Sequence, residues 1–369
     1  MDYVELFAGG GGGILAHREL LGHTPVAVAE IADYPLRVLR HRIACGQLPR
    51  LKVYEDVRAV RGGAYAGIGC VAGGFPCQDV SAASGSTLGI DGERSGLVFD
   101  MLRIVGEARP DYVFAENSPH LRTKGLVRIL AALDYLGYGN VAWIVLGAGA
   151  VGAPHLRKRM WLLAKQGGAT GATVPSVLPL SGHWHRGKLK VLPTPKVANA
   201  MLPTLTCGDA KGAGNRKSAS LWTLSDVLGI TKKAERHGLR LPTLAASDFR
   251  QPYSRAGLEA QLLKRSKPLR DILPYLEGGK AIHPLWAEWY MGWCPDWTDL
   301  SVDRPDVATW RRVVRDGQWW TDAVEASVLP RTVASKAEVP NLASRIRALG
   351  NGQVPLCAAV AFQTLRGVL

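Results

Sequence analysis

Six short apolar runs, separated by segments with helical spacing, constrain the first 165 residues more than any other feature. The runs are Tyr3 to Phe7, Val26 to Glu30, Gly69 to Ala72, Tyr112 to Ala115, Val141 to Leu146 and Met160 to Ala164. Between them, Tyr34 to Ala44 and Gly125 to Leu136 carry apolar residues at the intervals that place them on one helix face. Strands alternating with helices predict an α/β architecture, a doubly wound Rossmann-like sheet that is mostly parallel and covered on both faces. In such open sheets the groove beyond the carboxyl ends of the strands is where ligands are held, so the residues that end each run are the first candidates for a site.

From about Gly167 the texture changes to Gly, Pro, Thr and basic residues with weak periodicity. Leu-Pro-Thr recurs at 192, 202 and 241, and the last two copies continue to Asp209/Lys211 and Asp248/Arg250. Three unevenly spaced copies do not make a solenoid, and these acid-base pairs suit either loop caps or phosphate contacts. The chain carries a formal charge of +14 over 369 residues. Residues 166–280 hold 18 Lys or Arg against 7 Asp or Glu, so most of the excess lies there. A surface that only solubilises mixes its signs; one-signed excess predicts a polyanionic partner.

Six cysteines, with no Cys-x-x-Cys pair, argue against a disulfide framework or a zinc finger, and no metal is expected. His183-Trp-His185 offers two metal ligands, which is too few. No basic and apolar leader and no apolar run of about 20 residues is present, so a cytoplasmic protein with no membrane partner is expected.

The strand ends carry the chemistry. The first run opens into Phe7-Ala-Gly-Gly-Gly-Gly-Gly-Ile, where glycines let backbone approach a ligand and permit positive φ. The spacing Gly-x-Gly-x-x-Gly is absent, which counts against a nicotinamide dinucleotide. Glu30 ends the second run, where a carboxylate accepts hydrogen bonds from both ribose hydroxyls. The third run ends in Gly74-Phe-Pro-Cys-Gln78 and the fourth in Ala115-Glu-Asn-Ser118, placing the thiol of Cys77 near the carboxyl of Glu116. A thiolate beside an acid is a nucleophile with a proton donor. The Ser- and Gly-rich stretch 79–95 that follows Cys77 suits a loop closing over a substrate. In Pro154-His-Leu-Arg-Lys-Arg-Met-Trp, strand alternation predicts Arg157 and Arg159 on one face.

Pro-Cys-Gln, Glu-Asn-Ser and Phe-x-Gly-x-Gly-Gly together resemble the DNA (cytosine-5) methyltransferase family, and the resemblance extends from Tyr3 to about Val360 except in the middle. It implies S-adenosylmethionine as cofactor, bound through Phe7, Gly9, Gly11, Gly12 and Glu30, with Asp56, Pro76, Leu97, Asn351 and Val354 as further contacts. It implies Cys77 as the nucleophile at C6 of a flipped-out cytosine, Glu116 at N3, Arg159 at O2, and Arg157 supporting Glu116 or the thiolate. Gln78, Ser81 and Asn117 fall in the matching stretches, Asn117 orienting the loop. Double-stranded DNA is the implied partner, gripped by basic residues such as Arg216, Lys217, Arg250, Arg255 and Arg265. The domains expected are a catalytic part over 1–166, a smaller recognition domain over 167–339 that includes the Trp-rich segment 283–298, and a C-terminal return over 340–369. The last helix is expected to fold back beside the first strand. A monomer is expected, with a cognate restriction endonuclease as a partner to look for, and phage-like members of the family share the sparse repeat and Trp-rich end.

Several rivals stand beside this reading. A tRNA cytosine methyltransferase would share the motifs but is expected to lack the long basic insert. A non-catalytic DNA-binding member of the fold would have no use for Cys77, Glu116 and Arg159. His155 stands where the family usually has Gln, and a Cys77/His155 hydrolase dyad would need an oxyanion hole and an orienting third group that nothing supplies.

Overall fold

The computed structural model describes residues 1–76, 95–167, 173–175, 181–185, 188–192, 281–320 and 329–369. Eight strands, β1 (Asp2–Leu6), β2 (Thr24–Ala29), β3 (Lys52–Tyr54), β4 (Cys70–Gly74), β5 (Tyr112–Asn117), β6 (Asn140–Leu146), β7 (Arg159–Lys165) and β8 (Thr173–Pro175), form one sheet. Their order is β3-β2-β1-β4-β5-β7-β6-β8. The β1, β2, β3, β4 and β5 pairings are parallel, whereas β7 runs antiparallel to both β5 and β6. All six expected strands are present. The sequence reading missed β3, whose three residues are only partly buried and leave no apolar run to detect.

Alternation along the strands divides the core between the two faces of the sheet. Val4, Leu6, Val71, Val113 and Ala115 pack with the helices α3 (Val98–Ala108) and α4 (Leu126–Tyr135). Tyr3, Cys70, Ala72 and Phe114 look the other way, toward the short turn α1 (Gly12–Ile14), its π-helical continuation Leu15–Leu20, and α2 (Asp33–Ala44). That second face also receives the chain's last helices, α7 (Leu342–Asn351) and α8 (Pro355–Val368). Pro355 starts α8 at a position where its missing N–H costs nothing. The chain ends therefore do meet in one core. The last helix lies over β6, β7 and the π-helix rather than beside β1, with Phe362 edge-on to Phe114 and His17.

Helices α5 (Pro284–Tyr290) and α6 (Val307–Arg315) bring Trp286, Trp293, Trp297 and Trp310 into the same core as Tyr3 and Ile14. Within 283–298, the indoles of Trp293 and Trp297 fill the space behind the glycine turn. Arg42 of α2 completes the junction, its guanidinium donating to the carbonyls of Trp297 at 2.9 Å and Asp296 at 2.8 Å. Among the described residues of the basic middle are only the short strands β8 to β10, of which β9 (Ser181–His185) and β10 (Lys188–Leu192) form an antiparallel hairpin. Arg216, Lys217, Arg250, Arg255 and Arg265 lie outside the described residues. Among the described residues no helix is long and apolar enough to cross a membrane.

Candidate active site

A cavity of about 410 Å³ opens at the carboxyl ends of β1, β2 and β4. Seven residues singled out from the sequence line it: Phe7, Gly9, Glu30, Asp56, Pro76, Leu97 and Asn351. Glu30 accepts from Gly9 N–H and from Ala32 N–H, each at 2.7 Å, so its carboxylate joins the end of β2 to the glycine turn. Burial pushes its carboxyl up, against the pull of those backbone donors. Asp56 is held below the usual carboxylate range by Arg58, whose guanidinium and backbone N–H both donate to it. Phe7 and Gly9 have φ of 56° and 54°, and a Cβ on Gly9 would meet nothing within 4 Å. The bare Gly9 is thus open toward the cavity.

Three expected contacts do not line the cavity. A Cβ on Gly11 would come within 3.2 Å of Trp297 Nε1, and one on Gly12 within 2.6 Å of Trp293 Cζ2 and 2.8 Å of Gln353 O. Trp297 Nε1–H donates to Gly10 O at 2.8 Å, and Trp293 Nε1–H donates to Gln353 O at 2.7 Å. Gly11 and Gly12 are small because two indoles lie against them. Val354 is buried at the start of α8 and packs in the core.

Sequence reasoning also missed several cavity residues. Ser344, Arg347, Ala348 and Asn351 line it from α7, and only the last was singled out. Their spacing of three and four is that of one helix face, a signal available in the sequence. Ile31, which follows Glu30, lines the cavity while 71% exposed, an apolar platform at its lip.

Glu116 stands at the edge of this cavity, as register partner of the cavity residue Gly74. Its Oε1 accepts from Arg159 Nε at 2.9 Å. Burial raises its carboxyl above the usual range, with Arg159 and Arg157 opposing the shift. Asn117 is buried, donates from Nδ2 to Phe75 O at 3.0 Å and accepts Ser118 N–H at 2.7 Å. It fastens the end of β5 to the chain leading out of β4. Cys77, Gln78 and Ser81 lie outside the described residues, which resume at Ser95.

Arg157 corrects the strand argument. β7 begins at Arg159, and Arg157 precedes it with φ of 24°, so alternation does not set its direction. Its Nη2 donates to Gly350 O at 2.9 Å and Gly352 O at 2.7 Å, tying this loop to the end of α7 while its charge acts on Glu116. His155 is fully buried, with Nε2 at 3.0 Å from Tyr290 O and its ring against Tyr290. It joins the loop before β7 to the Trp-rich segment, which is a structural role. One group among the described residues has metal-ligand proximity, His41, Cys45 and Asp303, with ligand atoms within 4.8 Å of one another. The Arg42 guanidinium beside it, at 3.3 Å from Asp303 O, sets a positive charge in that corner.

A parallel-centred sheet with a glycine turn after its first strand and an acid ending its second defines the Rossmann-like methyltransferase fold class. The structure of an Entamoeba histolytica methyltransferase, EhMeth, aligns over 100% of this chain and 98% of its own, at 11% identity and a TM-score of 0.53, a likeness of fold alone. The profile of the C-5 cytosine-specific DNA methylases matches residues 1–179, so this part of the chain is similar to that family's domain. Similar relatives include the type II methyltransferase M2.BsuMI of Bacillus subtilis, 34% identical over 172 residues, covering 44% of this chain and 42% of that protein. M.CviJI of Paramecium bursaria Chlorella virus IL3A is 34% identical over 163 residues, again 44% of this chain and 42% of the relative. The matched stretch thus spans less than half the length of either relative.

Proposed function

We propose that the protein transfers a methyl group from S-adenosylmethionine to C5 of a flipped-out cytosine within a short sequence of double-stranded DNA. The observation that carries this is the pairing of Gly74, on the cavity wall, with Glu116, a largely buried acid held by Arg159, immediately before the Pro76-Cys77 stretch. The cofactor fits the residues present: Gly9 is bare toward the cavity, Glu30 offers a carboxylate there, and the volume falls in the range of small-molecule sites. When bound, S-adenosylmethionine supplies an electrophilic methyl group on a sulfonium.

Cytosine C5 is a poor nucleophile, so the chain must first push electron density onto it. The Cys77 thiolate adds to C6, while Glu116 meets N3 and supplies its proton as charge develops there. Burial suits Glu116 to that task by keeping it protonated nearer neutrality, and Arg159 keeps it in one place. Arg159 also offers its guanidinium to O2 of the base. After C5 takes the methyl group, a base removes the C5 proton, the C5–H electron pair restores the C5–C6 double bond, the C6–S pair leaves on sulfur as the Cys77 thiolate, and N3 returns its proton to Glu116, leaving 5-methylcytosine. Arg157 and Asn117 hold the two loops that meet at this point. The basic stretch 167–280 grips the DNA, the protein acts as a monomer, and a cognate endonuclease completes a restriction-modification pair.

The test is to incubate the purified protein with methyl-labelled S-adenosylmethionine and unmethylated genomic DNA, then map 5-methylcytosine at base resolution. Label at one recurring short motif, absent with Cys77→Ala, is the expected result. Label in tRNA, or in nothing, would overturn the reading.

A further inference from the structure

Gln353 takes no part in the chemistry above, yet its side chain lies close to the buried Glu5 carboxyl and the largely buried Glu116 carboxyl. The point where a Cβ on Gly74 would stand is 2.7 Å from Glu116 Oε2 and 3.0 Å from Gln353 Nε2. A Cβ on Gly13 would stand 3.1 Å from Gln353 Oε1 and 3.0 Å from the Glu5 carboxyl carbon. Two glycines therefore leave the room in which one primary amide has an acid at either end.

Strand alternation puts both acids on this side of the sheet. Glu5 follows Tyr3 by two on β1, Glu116 follows Phe114 by two on β5, and Tyr3 and Phe114 share one core. The backbone at Gln353 is held in place, since its main-chain carbonyl accepts Trp293 Nε1–H at 2.7 Å. Glu5 has no other evident purpose. It is 2% exposed, its Oε2 has no hydrogen-bond partner, and burial pushes its carboxyl up to about 8, so it keeps a proton at neutral pH. The titratable groups that feel Glu5 are Tyr3 on β1 and Cys70 on β4, both pushed up by burial and therefore neutral. Facing Glu116 are Arg159 on β7 and Arg157 ahead of it.

We propose that Gln353 is a positioning residue for the reaction: Glu5, as a neutral acid, donates a hydrogen bond to Gln353 Oε1, which turns the amide so that Nε2 faces Glu116 Oε2. This rests on the reading of Glu116 as the group that meets N3. With Arg159 on Oε1 and the amide on Oε2, the Glu116 carboxyl has one orientation in which to exchange its proton with the base. Glu5 keeps its own proton throughout. The amide donor favours the charged form of Glu116, so its loss raises the pH at which Glu116 ionises.

The experiment measures kcat and KM from pH 5.5 to 9 for the full chain and its Gln353→Leu, Gln353→Met, Glu5→Gln, Glu5→Leu and Glu5→Leu/Gln353→Leu variants, with methyl-labelled cofactor and duplex DNA. Thermal melting and calorimetric cofactor binding on each identify folded protein. Either Gln353 variant is expected to lower kcat by about 10- to 100-fold with KM for the cofactor within about twofold, and to move the alkaline limb of kcat upward. Glu5→Gln, whose amide still donates to Oε1, keeps the wild-type profile. Glu5→Leu copies Gln353→Leu, and the double variant is no worse. An unchanged profile in folded Gln353→Leu and Gln353→Met, or equal damage from Glu5→Gln and Glu5→Leu, overturns the proposal while leaving the methyltransferase reading intact. A wild-type protein that methylates no DNA overturns both.

Discussion

The two flanks of the glycine run Gly9 to Gly13 differ in why they are bare. Gly9 is open toward the cavity with nothing where a Cβ would go, whereas Gly10, Gly11 and Gly12 lie under the indoles of Trp293 and Trp297. The front of the turn is shaped for a ligand, the back for its own protein. A glycine-rich turn after a first strand is usually read as room for a cofactor. Here most of that room is taken by side chains that arrive from almost 300 residues further along the chain.

The largest effect that sharpens this contrast is expected from the back. Trp293→Ala removes a buried indole that covers Gly10, Gly12 and Gly352, and should cost about 3–5 kcal/mol in denaturant unfolding, with cofactor affinity falling only as the turn loosens. Equal loss of affinity without loss of stability would erase the distinction between the flanks. Glu30→Gln acts at the front. It weakens a charged acceptor for the cofactor's hydroxyls and for Gly9 N–H, and calorimetry should find affinity lower by about 10- to 100-fold while the melting temperature stays within a few degrees. Gly12→Ala should destabilise by about 1–3 kcal/mol, because the new methyl meets Trp293 and the Gln353 carbonyl.

The back of the sheet also has a pH dependence of its own, carried by imidazoles where the cavity has carboxyls. His17 and His23 are buried there with Nδ1 atoms 3.0 Å apart, and burial lowers both, His23 to about 4. The unfolded chain takes up protons on these rings near the ordinary value of 6.5, before the folded one does. Their stability contribution is therefore full above that pH and is lost as pH falls toward 4, by an amount on the order of 2 kcal/mol, which melting curves on His23→Phe should flatten. Smallest of all is Gly9→Ala. Its positive φ should cost about 1 kcal/mol, with no clash to add, and a larger loss in unfolding would mean that the front is packed after all.

Much of this was legible because it is local. The six runs, the helices at 33–44 and 126–135, and the acids that end β2 and β5 follow from spacing within a few residues, and the structure has them within one to three positions. What escaped was small or remote. β3 is three residues of mixed character, the cavity residues of α7 come from the far end of the chain, and Arg157 turns on a single φ that alternation cannot foresee. The Trp-rich segment was placed with recognition on its resemblance to a family motif. In space it belongs to the first strand, since Trp297 and Trp293 bond to Gly10 and Gln353.

The sequence by itself determined that a parallel sheet would form, that its strand ends would carry Glu30 and Glu116, and that a glycine turn would open after β1, because apolar period and turn chemistry act over short distances. Only the tertiary structure decided which glycines face the cavity, that Arg157 ties the loop before β7 to the end of α7, and that one amide lies between Glu5 and Glu116. Those outcomes depend on which distant side chains reach the same few cubic ångströms, and packing, unlike periodicity, is settled by the whole chain at once.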